Sequence, residues 1–359
     1  MKHVLNHDRV SKVPIRENTL ERGLYPNHMD VVVLAGGFGT RLRPWTLHMP
    51  KPLVPILDRA MIQHVVDVLP EHLVDRVLIA AGYGIEKMRD HFSLLDLPYE
   101  VLIVEETEPL GTGGAIVNCK EYLSGGTFCV INGDLLTSLS VEDMLKQHKN
   151  SGSLATLSLW EVEDPSRYGV ADFEVSSSLI RRFQEKPPIE EAFSNLINAG
   201  TYLIEPELFE MMPKGAFSIE RDVYPKVAES GRLSGFPFEG WFVDAGTPSS
   251  YIEAVQTSIS NLRHNSGIID RTNWTLSEIG ENVTGSSIGA NVSIDSSSKI
   301  LDSAILDQCI VGPDSKVQGC MIGANTVIGS KVEINEVVVD FDSKIPAGHI
   351  QRGGRFPEE

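Results

Sequence analysis

The stretch that decides the fold is Val31-Val32-Val33-Leu34-Ala35-Gly36-Gly37-Phe38-Gly39-Thr40-Arg41-Leu42-Arg43-Pro44, followed by Pro50-Lys51-Pro52-Leu53. Val31 to Ala35 is a short apolar run rich in β-branched residues, the pattern of a strand buried on both faces of a parallel sheet. The run breaks into Gly36-Gly37-Phe38-Gly39, where missing side chains let a ligand approach main-chain N–H groups. Arg41, Arg43 and Lys51 lie within fifteen residues of Gly36. A buried strand opening into a glycine loop beside fixed cations suits phosphate binding. The loop is neither of two familiar kinds. Nothing here reads Gly-x-x-x-x-Gly-Lys-Ser/Thr, and Leu42 stands where the third glycine of Gly-x-Gly-x-x-Gly would be. On glycine content alone, a plain tight turn stays open, as does a solvated surface role for the arginines.

Working outward, 359 residues are enough for two domains. A formal net charge of −18 argues against nucleic acid or an anionic membrane as partner, since both select basic surfaces. The cysteines Cys119, Cys129, Cys309 and Cys320 form no C-x-x-C pair, so no zinc or redox motif is indicated. Scattered thiols, no membrane-length apolar run and no signal-peptide core lead to the expectation of a cytoplasmic protein.

Residues 1–29 are polar without a sustained period and read as an extension of unknown role. From Asp30 the pattern alternates. Strands are expected over 31–35, 76–81, 99–104 and 127–131, with helical segments over 61–69 and 111–123. Such alternation implies right-handed crossovers and an α/β, doubly wound, Rossmann-like sheet, which binds ligands beyond the carboxyl ends of its strands. The glycine loop and the turn Asn132-Gly133-Asp134 both fall at such ends. Further strands are expected over 154–160, 180–184 and 197–204, with helices over 221–230 and 248–262.

Near Ser277 the period changes to about six: Ile279, Ile288, Ile294, Ile300, Leu306, Val311, Val317, Ile322, Ile328 and Ile334. That is the signature of a parallel β-helix of hexapeptides, three to a triangular coil, stabilised by stacking on its neighbours. Some steps are five residues and the first is nine, so the turns read as imperfect. The expected organisation is a nucleotide-handling domain over 30–262, a linker over 263–276 and a short left-handed β-helix over 277–359.

Gly37-x-Gly39-Thr40-Arg41-Leu42 with Pro50-Lys51-Pro52-Leu53 resembles the signature of the sugar-1-phosphate nucleotidylyltransferases. The resemblance covers nearly all of residues 30–260. It implies attack of a sugar-1-phosphate oxygen on the α-phosphorus of a nucleoside triphosphate, with pyrophosphate leaving. The nucleophile is already an anion, so catalysis would consist of positioning and charge neutralisation by Mg2+ and fixed cations.

Residue by residue, the resemblance implies Arg41 on the triphosphate and Lys51 on phosphate as the catalytic cations. It implies Leu34, Gly36, Gly37, Gly39, Thr40 and Gly111 around the nucleotide. It further implies Tyr168, Gly169, Glu185, Lys186, Asn198 and Gly200 on the sugar phosphate, and Asp134 and Asp244 as ligands of Mg2+. Read alone, Asp134 is a turn aspartate and Asp244 a helix-start cap.

Glu106-Thr107-Glu108-Pro109-Leu110-Gly111-Thr112, the run 162–170, Ser218-Ile219-Glu220 and the hexapeptide tail look more like mannose-1-phosphate guanylyltransferases than thymidylyl or uridylyl relatives. The expected substrates are therefore GTP and mannose 1-phosphate. Gly111-Thr112-Gly113-Gly114 departs from the usual Gly-Thr-Ala-Gly and also resembles enzymes acting on a heptose phosphate. A dTTP- or UTP-dependent glucose-1-phosphate enzyme stays open, as does a regulatory relative that binds nucleotide sugar without catalysis. The tail carries only His264 and His349, which argues against an acetyltransferase and for a homo-oligomerising, regulatory role.

Overall fold

The computed structural model describes residues 10–12, 28–261 and 282–358. The expected linker, Ile279 and most of the N-terminal extension lie outside the described residues. These form two compact units, one of residues 1–37 and 65–242, the other of 38–64 and 243–359.

The first unit is built on a ten-stranded mixed sheet. Val31, Val32 and Val33 are fully buried in the strand Met29–Leu34. It pairs in parallel with Val74–Ala81 on one side and Phe128–Asn132 on the other, and Glu100–Glu105 extends the first side. The chain thus runs outward from its first strand, then returns to that strand's opposite flank. A sheet whose winding reverses there opens a crevice beyond the carboxyl ends of the two strands. The loops after Leu34 and Asn132 flank it, and the Gly133 N–H donates to the Leu34 carbonyl at 2.9 Å.

Beyond Phe128–Asn132 the sheet becomes antiparallel through Leu196–Ile204. Among the elements that lie where the sequence pattern marked none are the helices Ile85–Ser93 and Val141–Ser151 and the strands Leu135–Thr137, Gly169–Glu174 and Leu233–Pro237. The helix expected over 221–230 is instead two short ones, Ile219–Asp222 and Tyr224–Glu229, the second with Pro225 in its first turn. A proline there has no N–H to donate and suits a fresh start. In the extension, Val10–Lys12 pairs antiparallel with Leu102–Val104 on the sheet edge.

In the second unit, residues 282–358 form the expected left-handed β-helix, with parallel sheets of five, five and four strands. Its coil is 17 residues, as in Ile300 beside Val317 beside Ile334. The inward aliphatics Ile300, Ile305, Val311, Val317, Ile322, Ile328, Ile334, Val339 and Ile345 share one core, and the interval from the first face to the second is five residues in every coil. The short steps are therefore a regular side of the triangle. Ile305 takes the core place expected for Leu306, which is buried outside that cluster. Small polar residues satisfy the corners. The Ser298 hydroxyl oxygen accepts from the Ser315 N–H at 2.9 Å, and that of Ser315 accepts from the Val332 N–H at 3.1 Å.

The same unit holds residues 38–64 against the helix Pro248–Ser260 and the β-helix. Trp45 is fully buried, packs edge-on to Tyr251 and Phe341, and donates its indole N–H to the Val339 carbonyl at 3.0 Å. The Arg355 Nε–H donates to the Arg43 carbonyl at 3.0 Å. No described helix is long and apolar enough to cross a membrane.

Candidate active site

In the first unit, the strand after Gly82 ends in a buried carboxylate, Glu106, whose Oε1 lies 2.5 Å from where a side chain on Gly36 would begin. Gly36 is therefore small because Glu106 occupies the space beside it. Glu106 Oε2 accepts from the Leu110 N–H at 3.4 Å, and burial pushes its pKa above the ordinary carboxylate value. In the sequence Glu106 only opens the run that ends at Thr112, without a role of its own; its closeness to Gly36 singles it out.

The helix Gly111–Cys119 begins on Gly111, whose φ of +68° only glycine adopts without strain and whose Cβ position is blocked by the Phe217 carbonyl. Gly113 lies under the Phe217 ring, which already fills the place of an alanine methyl. That is the physical reason for the departure from Gly-Thr-Ala-Gly. Glu220 ties this helix start to the strand Leu196–Ile204. It accepts from the Thr112 hydroxyl at 2.5 Å, the Ser218 hydroxyl at 2.7 Å and the Tyr202 hydroxyl at 3.1 Å. Ser218-Ile219-Glu220 carries part of the resemblance, and these three hydrogen bonds show what its glutamate holds together.

Asn198, Ala199 and Gly200 form a bulge where the pairing of Leu196–Ile204 with Ala155–Glu161 shifts register. Bulges re-aim side chains. The Gly200 N–H donates to Asn198 Oδ1 at 2.9 Å, and Asn198 Nδ2 donates to the Tyr202 hydroxyl at 2.9 Å. Gly200 also packs on the Asn132 amide, next to half-buried Asp134. Gly169 pairs with Glu185, the Lys186 N–H donates to the Tyr168 carbonyl at 2.9 Å, and Lys186 Nζ lies 3.2 Å from Glu185 Oε1. Burial raises the Glu185 pKa, and the neighbouring Lys186 charge opposes that rise. The first unit thus gathers Asn198 and Gly200 beside Asn132-Gly133-Asp134, and Tyr168 and Gly169 against Glu185 and Lys186. Leu34, Gly36 and Gly37 lie at the carboxyl end of the strand Met29–Leu34, and Gly111 begins the helix that follows Glu100–Glu105.

In the second unit, Gly39 has a φ of +62° and packs on Thr46 and the Lys51 stem, so the two halves of the signature touch. Thr40 opens the turn Thr40–Leu42 that anchors on buried Leu42 and leaves Arg41 exposed. Arg41 Nη2 and Asp244 Oδ1 converge on Gly246, at 2.7 and 2.8 Å from where its Cβ would stand. The helix after Asp244 is capped by Thr247, whose hydroxyl accepts from the Ser250 N–H at 3.3 Å. Capping is thus not the task of Asp244. Among the described residues no group of three or more His, Cys, Asp or Glu is gathered for a metal. Mg2+ commonly takes only one or two protein carboxylates beside substrate phosphates.

Strand-end loops around a switch point, a carboxylate turn and a cation-bearing glycine signature define a nucleotide-handling α/β protein. The chain belongs to the nucleotidyl transferase family, whose model matches residues 30–261. Within it, the chain is a mannose-1-phosphate guanylyltransferase-like member. It is 34% identical over 300 residues to a protein named probable mannose-1-phosphate guanylyltransferase 3 of Oryza sativa subsp. japonica, spanning 82% of this chain and 78% of that one. To mannose-1-phosphate guanylyltransferase 1 of Arabidopsis thaliana it is 33% identical over the same shares. Among solved structures it is similar to HddC from Yersinia pseudotuberculosis complexed with GMP-PN. There the identity is 33% and the TM-score 0.54, over 64% of this chain and 98% of that one.

Proposed function

We propose that this chain transfers a guanylyl group from GTP to mannose 1-phosphate, releasing pyrophosphate and GDP-mannose. The observation that carries the guanine assignment is Glu106. Its two acceptor oxygens, buried beside Gly36 at a strand's carboxyl end, match the adjacent N1–H and N2–H donors of guanine. Adenine, uracil and thymine do not offer that donor pair. The names of the relatives and the GMP-PN in the HddC crystal support the same base.

In this reading Arg41 and Lys51 stabilise charge on the transferring and departing phosphates. Glu185 and Asn198 accept from and donate to sugar hydroxyls, and Lys186 holds the sugar phosphate, with Tyr168, Gly169 and Gly200 shaping the space. Asp134 and Asp244 are the carboxylates assigned to Mg2+. Carboxylate oxygens are the hard ligands that this ion prefers. When bound, Mg2+ would neutralise triphosphate charge. We further assign residues 30–262 to catalysis and 277–359 to assembly of homo-oligomers.

The deciding experiment is pyrophosphate release across GTP, ATP, CTP, UTP and dTTP with mannose, glucose and heptose 1-phosphates. Fastest release is expected with GTP and mannose 1-phosphate. Release with no pair would sink the enzyme reading, whereas preference for dTTP would sink only the guanine assignment. Gly113 favours including a heptose phosphate, because the variant loop resembles that branch too. Asp134→Asn is expected to abolish magnesium-dependent release with an unchanged far-ultraviolet circular dichroism spectrum.

A further inference from the structure

Tyr202 is fully buried in the strand Leu196–Ile204, its ring edge-on to Tyr224 with centroids 5.3 Å apart. Its phenol keeps its one proton, because burial, with the Glu220 charge adding, pushes the pKa well above the ordinary tyrosine value. A carboxylate only accepts, so that proton points at Glu220 Oε1, 3.1 Å away. The phenol oxygen is then left to accept from Asn198, 2.9 Å away. The amide nitrogen of Asn198 must therefore face Tyr202, which turns Oδ1 toward the Gly200 N–H at 2.9 Å. The two ends of a side-chain amide have nearly the same shape, so only such a network tells them apart. Reversed, the amide would set its NH2 against the Gly200 N–H and its oxygen against a phenol whose proton already points at Glu220. Glu220 is held in its turn by Thr112 and Ser218, whose hydroxyls donate to its other oxygen at 2.5 and 2.7 Å. The oxygens of those hydroxyls accept from the Ile219 and Arg221 N–H groups at 3.1 and 3.2 Å. Every bond in the chain thus runs in one direction, from backbone N–H to hydroxyl to Glu220 on one side and from Asn198 to Tyr202 to Glu220 on the other.

We propose that Glu220, acting through Tyr202, is a positioning residue that locks the Asn198 amide in one orientation, so that Asn198 meets a sugar hydroxyl with its remaining N–H. The meeting with a sugar rests on the function proposed above, whereas the lock does not. A glutamine at position 220 breaks the lock without changing its shape. With its oxygen kept on Thr112 and Ser218, its NH2 faces Tyr202. The phenol must then accept there and turn its proton toward Asn198, which favours the reversed amide.

The test uses the full-length chain with Tyr202→Phe, which keeps the packed ring, and Glu220→Gln. Each should raise KM for mannose 1-phosphate by about tenfold, the loss of one hydrogen bond, and leave KM for GTP within about twofold. In an Asn198→Ala background the same substitutions should add less than about twofold, because their partner is gone. A loosened fold would instead raise both KM values and act undiminished in that background, and either result overturns the proposal. A readout that needs no turnover is solvent exchange of the Asn198 side-chain 1H–15N pair, assigned by its loss in Asn198→Asp. Tyr202→Phe should speed that exchange by about tenfold or more. Unchanged exchange overturns the lock. A locked amide in a chain that turns over no sugar phosphate would overturn the guanylyl reading and leave the lock standing.

Discussion

Glu106 holds a carboxylate where water is largely excluded, and that has opposite consequences for stability and for recognition. Its pKa is raised in the folded chain by desolvation. Between the unfolded and folded values the folded state therefore binds more protons, so its stability falls as pH rises through that window. Above both values the penalty is fully present, and below both it vanishes. Glu106→Gln should raise Tm near neutral pH by roughly 1–3 °C. The gain should disappear in scans below the ordinary glutamate pKa of about 4.3. Under the guanine assignment proposed above, the same variant presents an amide N–H toward the amino group of the base. Relative kcat/KM for GTP over ITP, which lacks that amino group, should fall by about tenfold. An unchanged ratio would remove Glu106 from base recognition.

At the scale of elements, the start of the helix Gly111–Cys119 is set by the ring of Phe217. Gly113→Ala restores the commoner family sequence yet should destabilise this chain by about 1–3 kcal/mol through overpacking. Phe217→Leu should recover much of that loss, and a double-mutant cycle by denaturant unfolding measures the coupling. This element also marks the limit of what was legible beforehand. Gly113 stood out in the sequence, but its partner lies about a hundred residues away and only packing pairs them. The central parallel strands were readable because Val31 to Val33 and Cys129 to Ile131 are unbroken apolar runs buried on both faces. The helix Ile85–Ser93 was not, because only Met88 and Phe92 are buried in it. The helix Val141–Ser151 did carry a signal, since Ser140 caps Asp143 in the order a capping motif requires. Of the candidate site, the strand-end turns were legible, whereas Glu106 and Glu220 draw their roles from partners distant in sequence.

At the scale of the molecule, the β-helix is where assembly and integrity can be separated. Removing residues 277–359 should yield a smaller species by light scattering, and a truncated chain that keeps full-length assembly size would refute the oligomerisation role. It should also strip Phe341 and the Val339 carbonyl from Trp45, with a red shift of tryptophan emission. That tryptophan has a further consequence in the order of synthesis. Trp45 leaves the ribosome 294 residues ahead of its acceptor Val339. At the usual pace of translation, that interval is roughly 15–60 s. For that time the signature segment is without the cover that Phe341 and Val339 give it. A message broken before the codon of Phe341 therefore leaves residues 38–64 without that cover, so that maturation of the signature waits on the late coils of the tail.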